Sequence, residues 1–160
     1  MVQGKQAYNA PKDITGKAKR PRVIGTTLSC IQDAEKELGF VFPPSFRTWL
    51  LENNGMSVDA VTIFPVFDPR DPRKTADSIV HEYSVNWKTL LETTSDNQEL
   101  LLPFGLFGTG DYYCFDYSRV SLTGEVPVVL WNHETEQCED RAPDFVTFVE
   151  RLVSGEFDEA

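Results

Sequence analysis

Two prolines, Pro43 and Pro44, followed by an apolar-faced run and closed by Asn54-Gly55, fix one helix of this chain at both ends. Proline breaks a helix interior but suits the first turn, where its missing N–H is no loss. Phe46, Trp49, Leu50 and Asn53 recur at i, i+3, i+4 and i+7, so one face is apolar until the last turn. Gly55 is free to take positive φ and ends the helix. Just upstream, Thr27 and Ser29 are good N-caps. Leu28, Ile31, Ala34 and Leu38 follow helical spacing, and Gly39 stands at the C′ position. The chain therefore opens with a pair of helices. Trp49 is expected in the core, facing Leu28, Ile31 and Leu38.

Beyond the pair, Val58 to Phe67 reads as a strand with Val61, Ile63 and Val66 in the core, confined by Pro65 to an edge or bend. Residues 68–73 read as a loop. A helix is predicted from about Thr75 to Glu92, burying Ile79, Val80, Tyr83, Trp87, Leu90 and Leu91. After a turn at residues 93–97, Leu100 to Phe104 and Tyr112 to Asp116 read as strands around a glycine-rich hairpin. Ser121 to Glu125 turns the chain into Val126–Trp131. That run is apolar on both faces and suits a central strand, although Pro127 removes one ladder bond. A last helix from about Asp144 to Val153 presents Phe145, Phe148, Val149 and Leu152. Helices at the front, middle and end, with a meander of strands after the middle one, define an α+β class.

A chain of 160 residues suits a single domain with a real core. The net charge of −10 is unevenly spread. Residues 1–22 hold six cations against Asp13 alone, a local +5, which leaves −15 on the remainder. Residues 1–25 lack apolar periodicity and are read as a basic flexible arm; residues 26–160 form the domain. A body so acidic repels nucleic acid and steers basic proteins toward itself. No run approaches the ~20 apolar residues of a membrane span. The polar N-terminus lacks a secretory h-region, and three cysteines at unrelated spacings fit a reducing cytoplasm.

Catalytic chemistry finds little foothold. Gly105, Gly108 and Gly110 lead into Asp111 and a strand, not into the lysine and helix of a phosphate cradle. His81 and His133 stand without zinc-ligand spacing, and no serine, cysteine or lysine lies in a nucleophile motif. No enzyme activity, metal or cofactor is expected. Asp111, Asp116, Glu134 and Glu136 are the carboxylates nearest to a cluster, and an acidic cleft for a small ligand stays open. Trp131 ends a strand, where an aromatic can bridge core and contact surface. Asp116 either contributes to that surface or accepts the Ser118 N–H in an Asx-turn. The predicted partner-binding residues are Asp111, Tyr113, Asp116, Trp131 and Glu134.

Four blocks in order resemble the SUKH superfamily. They are the helix pair from Ile31 to Gly55, the strand Gly110–Asp116, the strand Val126–Glu134, and the closing Phe145-Val146-Thr147-Phe148-Val149. The resemblance spans about residues 27–153 and leaves the basic arm outside. It implies a twisted, largely antiparallel sheet carrying helices. It also implies a protein partner: many bacterial members are implied to be immunity proteins that bind and block a cognate toxin, often a nuclease, while eukaryotic relatives imply a general regulatory interaction module. No catalytic residues come with it.

Overall fold

The computed structural model describes residues 24–93 and 98–157. Most of the expected basic arm and of the turn at residues 93–97 lies outside the described residues.

The element order is α1 (Leu28–Leu38), α2 (Pro44–Asn53), β1 (Thr62–Ile63), α3 (Ile79–His81), a π-helical turn (Glu82–Trp87), α4 (Lys88–Leu91), β2 (Leu101–Leu106), β3 (Tyr112–Asp116), a 3-10 turn (Tyr117–Arg119), β4 (Val128–Trp131), β5 (Cys138–Ala142) and α5 (Phe145–Val153). The five strands form one antiparallel meander in sequence order, β1-β2-β3-β4-β5.

Local chemistry sets the helix ends. The Thr27 hydroxyl accepts the Cys30 N–H at 3.2 Å, and Gly39 leaves α1 at φ 79°, a left-handed conformation natural to glycine. Asp144 caps α5 through the Thr147 N–H at 2.8 Å. Helix α2 has no cap of its own. Glu125, from the loop between β3 and β4, accepts the Ser45 N–H at 3.1 Å and the Ser45 hydroxyl at 2.7 Å, placing a carboxylate at the positive helix end. The first two helices are clamped by buried Glu35, which accepts Arg47 Nε at 3.0 Å and the Phe42 N–H at 2.7 Å.

Helices cover both faces of the sheet. On one face Phe104 and Phe115 stack 4.1 Å apart, and Phe46 of α2 and Phe145 and Phe148 of α5 close over them. On the other, Tyr112 and Trp131 pair across β3 and β4. Trp87 of the π-helical turn meets them edge-on at 5.5 and 5.1 Å.

Several expectations need correction. The strand expected over residues 58–67 shrinks to β1 plus a single bridge between Val58 and Val61. Asp59 turns back at φ 54° within that bridge, and further on the Asn54 side chain bonds both the N–H and the C=O of Val66, standing in for a strand partner. The middle helix starts at Ile79, capped by the Ser78 hydroxyl, and not near Thr75. The Thr75 hydroxyl instead holds the preceding loop through the Asp68 N–H and the Asp71 carbonyl. Strand β5 was not expected: its sequence, CEDRA, is polar because it forms an exposed edge. Gly25, expected in the arm, packs on α2 so closely that a Cβ would stand 1.8 Å from the Leu51 carbonyl oxygen. Trp49 is half-buried rather than core. It lies parallel to Phe46 at 6.4 Å and edge-on to Phe145 at 5.7 Å, with its remaining surface facing outward between α2 and α5.

Candidate interaction surface

Pairing of Tyr112 with Trp131 brings the start of β3 beside the end of β4. Asp111 thereby meets the turn that follows Trp131. Its carboxylate accepts the His133 N–H at 3.0 Å, lies 2.6 Å from His133 Nδ1 and accepts the Thr109 hydroxyl at 3.2 Å. The turn is held by Asn132, whose side-chain oxygen accepts the N–H groups of Glu134 and Thr135. Glu134 is left exposed next to His133. Partial burial pushes the Asp111 carboxyl up, but the bonds from His133 and Thr109 outweigh it and hold the group below its usual range.

The five expected contact residues do not form one edge. Asp111 and Glu134 share the sheet end just described. Trp131 and Tyr113 are only 1% and 3% exposed, so neither offers a partner any substantial surface. Strand pleating sends the residues paired with one another to the same face and successive residues to opposite faces. Trp131 therefore goes with Tyr112 under Trp87, while Tyr113 goes under Phe148 at 4.7 Å. Tyr113 still lines a small pocket of about 340 Å³ together with Asp111 and Arg141. Asp116 stands at the other end of β3, about 17 Å away at ~3.3 Å per residue. It accepts the N–H and hydroxyl of Ser118, which is the Asx-turn reading, and it pairs with Arg119 at 3.0 Å. Arg119 reaches on to Asp140 of β5 at 2.6 Å.

Chemically, an exposed imidazole on a largely buried carboxylate resembles part of a hydrolase relay. The Thr109 hydroxyl, however, bonds Asp111 and not the imidazole, so the nucleophile–base contact is not made here. Among the described residues no three His, Cys, Asp or Glu side chains gather as a metal ion would require. Cys114 is fully buried, and burial pushes its thiol well up, away from reactivity. What the sheet end and edge strand do offer is exposed carboxylate: Glu134, Glu139 and Asp140. The partnership of His133 with Asp111 and the acidic edge of β5 escaped the sequence reading. The usable signal for β5 was positional, a short stretch between the turn after Trp131 and the N-cap Asp144.

An acidic α+β domain, its antiparallel meander covered by helices on both faces, is thus the class defined by fold and surface. The chain belongs to the SMI1 / KNR4 family (SUKH-1), which matches it over residues 25–151. Family membership supports a protein-binding role of the immunity type. A solved structure similar to this chain is a protein from Pseudomonas syringae pv. tomato, 19% identical, with a TM-score of 0.47 over 76% of this chain and 81% of that one. Comparison with curated proteins gives no match. Among the described residues no helix is long and apolar enough to cross a membrane.

Proposed function

We propose that this protein is a non-catalytic immunity protein that binds and neutralises a cognate basic toxin domain, a nuclease in the simplest case, one to one in the cytoplasm. The observation that carries this reading is charge. After residue 22 the chain holds −15, and several of its carboxylates stand exposed along one sheet end and its edge strand. A nuclease that grips a polyanion has a positive groove, and a carboxylate-bearing protein of complementary potential reaches it quickly and occupies it. Asp111 and Glu134 are the sheet-end residues assigned to this contact, with Glu139 and Asp140 extending it along β5.

The test begins with isolation of the partner from the native cell, followed by association rates against salt for wild type and Glu134→Lys. Exposed charges are screened beyond ~8 Å at physiological ionic strength, so the rate falls steeply as salt rises and falls further in the variant. A rate indifferent to both, or a partner that is not basic, contradicts the reading.

A further inference from the structure

A second surface is built for contact in a different way. Helix α5 turns Phe145, Phe148 and Leu152 into the core, yet part of its outer side, beside Glu150, is also apolar: Val146 is 50% exposed and Val153 72%. Beside it, on α2, stands the half-buried Trp49. Together Trp49, Phe145, Val146 and Val149 line a shallow groove of about 270 Å³, rimmed by Glu52 and Glu150. A helix that packs one face inward is expected to be polar on the other. Here an aromatic ring and valines are left in water instead, and none of the described residues covers them.

The ring is already fixed. Trp49 lies against Phe46 and Phe145, so a partner meets an ordered anchor and spends little entropy ordering it. Tryptophan in a small pocket inside a ring of polar contacts is the composition of binding hot spots. The charges identify the occupant. The ionisable residues lining the groove are Glu52 and Glu150, both exposed, and no lysine or arginine lines it. The remainder of a second copy, carrying −15 after residue 22, would set carboxylate against carboxylate. A cationic segment finds both its charges and its apolar side chains matched.

We propose that the groove between α2 and α5 docks an apolar segment flanked by lysine or arginine on the protein partner, with Trp49 as the anchor and Glu52 and Glu150 as the charge partners. This inference rests on the reading of the protein as a binder of a basic protein, and it moves the aromatic anchor away from the sheet end.

The full isotope-labelled chain is titrated with a synthetic lysine–leucine peptide, with a lysine–glycine peptide of equal length and charge, and with a glutamate–leucine peptide. The lysine–leucine peptide is expected to shift the Trp49 indole signal and the amides of Val146 and Val149, and the other two to leave them in place. Glu52→Lys combined with Glu150→Lys is expected to weaken that binding at least tenfold while the thermal midpoint stays put. Trp49→Phe, which keeps the ring stack, is expected to weaken it severalfold. Shifts confined to the acidic sheet end, equal shifts from the lysine–glycine peptide, or groove shifts that appear on concentrating the protein alone overturn the proposal. Because the probe is a peptide, the outcome is independent of whether Glu134→Lys slows association with the native partner.

Discussion

Trp131 and Trp49 show how differently the same residue type is used in two regions of this molecule. Both lie in apolar runs, one ending a strand and one within a helix. The strand position suggested a bridge to the surface, and the helix position suggested core. The fold reverses both. Trp131 sits on a strand with neighbours on either side and Trp87 pressing on its ring at 5.1 Å, so it is sealed on every side. Trp49 belongs to a helix at the margin of the helical layer, where α5 covers only part of it. Apolar periodicity tells which side of an element is apolar. How far the next element extends over that side is a tertiary fact, and it decides whether the residue is core or contact.

The sharpest way to test this contrast is stability. Trp131→Ala and Trp87→Ala each remove a fully buried ring and are expected to cost about 3–5 kcal/mol in denaturant unfolding. Trp49→Ala, removing a ring that is already partly hydrated, is expected to cost about 1–2 kcal/mol by the area it buries. Equal losses at Trp49 and Trp131 would break the distinction.

The same contrast holds among the carboxylates. Asp68 is buried, with its carboxylate 2.7 Å from Arg70 Nη2 and 2.7 Å from the Thr26 hydroxyl. The Arg70 hydrogen bond pulls its carboxyl down to about 2, against the push of burial and with help from the Arg70 backbone N–H and Thr26. A carboxyl lower in the folded state stabilises the fold above its unfolded value near 4, and that contribution disappears as pH falls through about 2. Acid titration of stability is expected to show a loss of about 2–3 kcal/mol over that window, absent in Asp68→Asn. An unchanged acid limb in the variant would remove Asp68 from the account. At the exposed end of the scale, Glu134→Lys is expected to change stability by less than ~0.5 kcal/mol. A larger change would mean that Glu134 is part of the fold and not of a contact surface.

Much of the fold was legible in the sequence because local chemistry and global packing agree there. Thr27, Pro44, Gly39 and Asp144 mark helix ends, and Phe46, Phe145 and Phe148 fall on inward faces. Legibility failed where a distant group did the work of a local one. The Asn54 side chain replaces a strand partner for Val66, Thr75 serves a loop instead of a helix start, and Glu125 caps a helix 80 residues away in sequence. Strand β5 carries no apolar alternation because its outer edge has no neighbour. The candidate site was half legible. Asp111 and Glu134 do lie together, but strand pleating turned Tyr113 and Trp131 inward, and the length of β3 put Asp116 at the far end.

The central claim, that Trp49 and not Trp131 is the tryptophan a partner can touch, is tested most directly by fluorescence quenching with acrylamide, a neutral quencher that the acidic surface does not repel. The chain has three tryptophans, and the indole N–H groups of Trp87 and Trp131 have no hydrogen-bond partner among the described residues, so single Phe replacements there remove emission without breaking a bond. The account predicts that one tryptophan is readily quenched and that Trp49→Phe abolishes this accessible component while Trp131→Phe leaves it intact. An accessible component that survives Trp49→Phe and vanishes in Trp131→Phe would contradict it.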